Sequence, residues 1–135
     1  MSAPSALSAR LIDISLPGDL AAAGLARETL GTCVADRDLA DDGELLLSEA
    51  VANAVEHSGS GRLRLVIRHD TATGSLMCAV RDDSAEMART AGTPAGCAER
   101  ESGRGLAIIA ALSLAWGFST DGFGKWLWFC LGPAA

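Results

Sequence analysis

Three side chains in one run of the chain have the types and the spacing for phosphate chemistry. Glu49, Asn53 and His57 are four residues apart, so on a helix they lie along one stripe. Successive members then stand about 6 Å apart along the axis. A carboxylate, an amide and an imidazole in one row can together reach a hydrated metal ion and a phosphate chain. Alone, such a row is more often a solvated helix face, because polar residues normally face water. Two further stretches change that weighing. Val80-Arg81-Asp82-Asp83-Ser84 closes a strand-like run, and an Asp at a strand end can accept a hydrogen bond from an exocyclic amine. Glu101-Ser102-Gly103-Arg104-Gly105 feeds an apolar run of helical character. Free N–H groups and the helix dipole at a helix start favour phosphate, and glycines let the chain approach an anion closely.

The helix that must carry the row is expected from Asp41 to Gly59. Asp41 is placed to cap its first turn, and Glu44 completes a capping-box pattern. Gly59 can turn left-handed past its end. Leu47, Ala50, Val51, Ala54 and Val55 give it an apolar face. Upstream, Arg10–Leu16 alternates as an edge strand, and a partly apolar helix follows from Asp19 to about Asp36. Downstream, Arg62–His69 buries Leu63, Leu65 and Ile67, while Ser75–Arg81 buries Leu76, Cys78 and Val80. The two read as an antiparallel hairpin turning at Thr73-Gly74. Asp83–Ser102 has no usable periodicity and reads as a lid. Gly103 then opens a deeply packed helix to about Ala115, apolar nearly all round. Gly117–Thr120 and Lys125–Leu131 are the last strands, around Asp121-Gly122-Phe123-Gly124, with Lys125 assigned to the hairpin turn. This order predicts an α+β fold: a two-layer sandwich of one mostly antiparallel sheet with three helices on one face.

A chain of 135 residues fits one domain with a real core. Residues 1–9, rich in Ser and Ala, are expected to be a flexible N-terminus, and 10–135 a single domain. The net charge of −6 repels phosphate backbones, so direct nucleic-acid binding is not expected. Cys33, Cys78, Cys97 and Cys130 are scattered without metal-ligand spacing, so no zinc site is expected. The chain opens on no leader pattern and has no apolar run of spanning length, so the cytoplasm, away from any membrane, is the expected compartment.

These pieces, in this order, resemble the Bergerat-type ATP-binding fold of the GHKL superfamily. Glu49-x-x-x-Asn53-x-x-x-His57 matches its N box, Asp82-x-Ser84 its first glycine box and Gly103-Arg104-Gly105-Leu106 its second. The small chain looks most like the anti-sigma-factor serine kinases of bacterial stress and sporulation switches. Gly124-Lys125-Trp126-Leu127-Trp128-Phe129 is similar to that group's last strand. The resemblance implies ATP and Mg²⁺ as cofactors. It implies that Asn53 holds Mg²⁺, that Glu49 is the catalytic general base and that Asp82, with Ser84 beside it, binds the adenine amino group. Gly103, Arg104, Gly105 and Leu106 would wrap the phosphates. It also implies a sigma factor that is sequestered, a STAS-type anti-anti-sigma protein that is phosphorylated, and a homodimer. His57 is expected to play a structural part at its helix end. Ser84 stands where many relatives have Gly, which supports an alternative: a module that binds ATP and sequesters a partner without transferring phosphate. A sensor histidine kinase fits less well, since His69 is the only other histidine.

Overall fold

The computed structural model describes residues 9–58, 61–82 and 95–132; for 57–58 and 95–103 it describes the backbone path alone. In chain order the elements are β1 (Ala9–Pro17), α1 (Ala21–Cys33), α2 (Arg37–Ser58), β2 (Arg62–Asp70), β3 (Ser75–Asp82), α3 (Ala95–Leu112), β4 (Ala115–Thr120) and β5 (Lys125–Leu131). The strands form one antiparallel sheet in the order β1-β2-β3-β5-β4. Helices cover one of its faces, as the expected two-layer α+β sandwich requires.

Period-two alternation builds the sheet half of the core. Leu63, Leu65 and Ile67 of β2, Leu76, Cys78 and Val80 of β3, and Leu127, Phe129 and Leu131 of β5 all lie on the covered face and are buried. Register stacks them, with Ile67 opposite Cys78 and Cys78 opposite Phe129. The helix half comes from Ala22, Ala26 and Leu30 of α1 and from Leu46, Leu47, Ala50 and Val51 of α2, all buried. Each fully buried Val, Leu, Ile or Phe side chain contributes roughly 1.5–3 kcal/mol, so this layer dominates stability and fixes where α2 lies.

Three expectations are corrected. First, α2 starts at Arg37, not near Asp41. Leu39 N–H donates to Asp36 Oδ1 at 3.0 Å, and Ala40 N–H to the Asp36 carbonyl at 2.8 Å. Asp36 therefore caps the helix, and nothing between Arg37 and Ala40 breaks it. Second, α3 starts at Ala95, not Gly103. Ala98-Glu99-Arg100-Glu101 are good helix formers, and Gly96 falls in the first turn, where it costs little. Residues 83–94 of the expected lid lie outside the described residues. Third, α3 is not buried all round. It packs chiefly on α2. Leu106 and Ile109 are covered, but Leu112 is 48% exposed and Leu114, just past the helix, 60%. No helix among the described residues is long and apolar enough to cross a membrane.

Candidate functional site

The chemistry collects where β3 ends and β5 begins. Asp82, the last residue of β3, is the register partner of Lys125, the first of β5. Both point to the helix-covered side, at 2% and 9% exposed. Lys125 thus belongs to the strand rather than to the turn. The signal was its parity: it alternates in phase with the buried Leu127, Phe129 and Leu131.

The turn before β5 holds this arrangement from outside. Asp121 Oδ1 accepts the N–H groups of Phe123 (2.9 Å) and Gly124 (3.1 Å), and its Oδ2 accepts the Trp126 indole N–H (2.9 Å). The Trp126 indole first, then the Phe123 N–H and the Arg81 guanidinium, hold the Asp121 carboxyl down to about 2. The Arg81 guanidinium pairs with the same carboxylate at 3.3 Å and lies 5.5 Å from the ring centroids of Phe123 and Trp126. Gly124 is pressed onto the end of β3, where any Cβ would overlap the Asp82 carbonyl oxygen. Only glycine lets β5 enter the sheet there.

Inside, the Lys125 ammonium sits 4.5 Å from the Phe118 ring centroid. Burial pushes the Lys125 pKa down, and the Asp82 carboxylate pulls it part of the way back. Asp82 is engaged within the protein, but its Oδ2 is buried and accepts no hydrogen bond. Buried acceptors normally have a donor, so this oxygen suits one brought by a ligand.

Helix α2 packs against β3, β5 and α3. Its early Gly43 lies against Leu76 at the far end of β3, so the polar row further along α2 runs toward this end. Asn53 is only 7% exposed, so it is not part of a solvated face. Glu49, one turn earlier, is half-buried. Its Oε1 lies 2.8 Å from where a Cβ on Gly105 would stand, so α3 approaches the carboxylate through a missing side chain. The His57 side chain and Ser84 lie outside what is described. Leu106 is buried in the core, and Arg104 is exposed.

Gly103, Arg104 and Gly105 lie more than two turns beyond the α3 start. Mid-helix N–H groups are committed to carbonyls four residues back, so no free helix-start donors stand there. What these residues offer an anion is the space at Gly105 and the Arg104 side chain. His69 is 5% exposed and sits at the other end of β2, opposite Leu76, which makes it a poor phospho-acceptor.

A family model, the histidine kinase-like ATPase domain, matches residues 16–131. The chain belongs to the histidine kinase-like ATPase family. No curated protein matches it. This ATPase domain is accordingly an ATP-binding module, and the residues present fit that ligand. Asp82 offers a buried acceptor for an exocyclic amine. Gly105 leaves room beside Glu49. Asn53 and Glu49 carry the hard oxygen atoms that Mg²⁺ prefers.

Proposed function

We propose that this ATPase domain is an anti-sigma factor with protein serine kinase activity. It sequesters a sigma factor and phosphorylates a serine of a STAS-type anti-anti-sigma protein. The observation that carries the reading is Glu49, half-buried against Gly105, one turn from the buried Asn53 on the same helix. A candidate base and a candidate metal ligand are thereby fixed to one rigid element. ATP with Mg²⁺, when bound, supplies the phosphoryl group and the positive charge that steadies its transfer.

The chain's own residues do the positioning. Asn53, whose amide carries a hard oxygen, is the residue that would hold Mg²⁺. Glu49 orients the incoming serine hydroxyl and takes its proton on a carboxylate oxygen. Asp82 accepts from the adenine amino group, with Ser84 beside it in sequence. Arg104 would reach the phosphates beside the space that Gly105 leaves, with Gly103 preceding them on the helix and the buried Leu106 holding that segment in the core. The apolar face of α2 keeps Glu49 and Asn53 from wandering, which is where such a site gains most of its rate. The test is Glu49→Ala. Nucleotide affinity should stay near wild type, while phosphotransfer measured with labelled ATP falls about 10²–10⁴-fold. Transfer at the wild-type rate would remove Glu49 as the base.

A second reading keeps ATP binding and sequestration but drops the transfer. Ser84, where many relatives have Gly in the first glycine box, favours it, and a cavity of about 330 Å³ between α1 and α2 serves the sequestration that both readings share. Leu20, Ala23, Val51 and Val55 line the cavity, and the carboxylate residues Asp19 and Glu56 flank it. That combination suits an apolar, basic segment of a protein partner. Absence of transfer from the wild-type protein to any anti-anti-sigma substrate would leave this reading standing. Either role belongs in the cytoplasm and is compatible with a homodimer.

A further inference from the structure

Phosphate and metal binding leave Lys125 without a role. Lysine is almost never so covered unless paired, and a buried ammonium costs stability. Three observations fix what this one can reach. Register sets it directly across from Asp82 on the neighbouring strand. Both side chains leave the sheet on the covered face, at 2% and 9% exposed. Directly opposed residues have Cβ atoms about 4.5–5.5 Å apart, within the span of one planar base edge. The Nζ rests 4.5 Å from the ring centroid of Phe118, on β4 at the other side of β5 from Asp82, held inside rather than turned out to water and with the covered face between the two heads for a base edge.

An ionised carboxylate only accepts hydrogen bonds, and an ammonium only donates them. Side by side at a strand end they form a two-letter reader. Adenine presents a donor, the N6 amino group, next to an acceptor, N1. Guanine and hypoxanthine present the reverse order, the O6 acceptor next to the N1–H donor. Resting on the ATP-binding reading of this site, we propose that Lys125 is a base-specificity residue. It donates to adenine N1 while Asp82 accepts from N6, and together they reject 6-oxopurines. With guanine in the same pose the carboxylate faces O6 and the ammonium faces N1–H. Both contacts are then repulsive, and both buried groups lose their partners. The Asp82 carboxylate supports the role by favouring the charged, donor-only form of Lys125 against the effect of burial.

The test is calorimetric affinity for MgATP, MgGTP, MgITP and 1-deaza-ATP, in which N1 is replaced by C–H. It uses the full chain as wild type and as Lys125→Met. Wild type should bind GTP and ITP roughly a hundredfold or more weaker than ATP, because a site built to hydrogen-bond one pattern strongly rejects its inverse. It should bind 1-deaza-ATP about tenfold or more weaker than ATP, the worth of one hydrogen bond to a charged group. In Lys125→Met, ATP and 1-deaza-ATP should bind alike. Equal affinity of the wild type for ATP and 1-deaza-ATP would overturn the inference while leaving the nucleotide site in place, and this arm does not require the variant to fold. An ATP preference over 1-deaza-ATP that survives in Lys125→Met would reduce Lys125 to a structural partner of Asp82 and Phe118. A folded wild type that binds no ATP would bring down the nucleotide reading, and the inference with it.

Discussion

The two ends of the β3–β5 strand pair follow one register and face one set of helices, yet they are built of opposite materials. At one end Leu76 pairs with Leu131 and Cys78 with Phe129, all four buried and apolar. Burial pushes the Cys78 thiol well above its ordinary value, so it behaves as a small hydrophobe rather than a nucleophile. At the other end Asp82 pairs with Lys125, and both are buried too. Burying charged groups costs stability unless they are closely paired and hydrogen-bonded, so charge at that end is poorly explained by stability. The first end holds the sheet to the helices. The second spends part of that stability on two polar heads facing the region where α2 brings Glu49 and Asn53. One strand pair thus divides between scaffold and recognition within its own length.

The comparison can be broken at either end. Phe129→Ala, at the scaffold end, should cost about 3–5 kcal/mol in urea denaturation, the usual loss for a fully buried aromatic. A cost under about 0.5 kcal/mol, as on a surface, would mean that this end is not core. At the recognition end, the double replacement Asp82→Leu with Lys125→Met should leave stability unchanged or raise it, because it removes two buried charges together. The same variant should lose nucleotide affinity. Strong destabilisation would show that the pair serves the fold, and the contrast between the ends would collapse.

The smallest effect concerns the turn that delivers Lys125. The Asp121 carboxyl is held down to about 2, below its ordinary 3.8. Its contribution is therefore complete above about pH 4 and is lost as pH falls through about 2. Trp126 fluorescence should follow that loss in wild type, because its indole N–H donates to this carboxylate. Asp121→Asn should remove the acid step. A step that persists in the variant would assign it to another carboxylate.

Much of this architecture can be read from the sequence, because it rests on local periodicity. Strand β5 runs Lys125–Leu131 as its alternation indicates, and β2 and β3 extend by one residue at the end where alternation fades. The spacing of Glu49 and Asn53 is equally local, since four residues on a helix define a stripe. Helix starts are harder. Asp36 and Asp41 both carry capping chemistry, and only the folded chain decides between them. Gly96 reads as part of the lid and Gly103 as the helix start, although Ala98-Glu99-Arg100-Glu101 between them favour a helix by propensity. The pairing of Asp82 with Lys125 depends on register between strands far apart in the chain. A lysine beside a Gly-rich turn looks like part of the turn until that register is known. Its phase with Leu127 and Phe129 was the one hint available.

The claim beneath both the function and the specificity is that the nucleotide lies at the Asp82–Lys125 end of the sheet, against α2. Backbone amide NMR on the wild-type protein with MgATP tests it most directly. The account predicts that the signals of Asp82, Lys125, Asn53 and Gly105 shift on titration, while those of Leu76, Cys78 and Leu131 at the scaffold end stay in place. Shifts centred on the scaffold end, or none at saturating nucleotide on a folded sample, would contradict it.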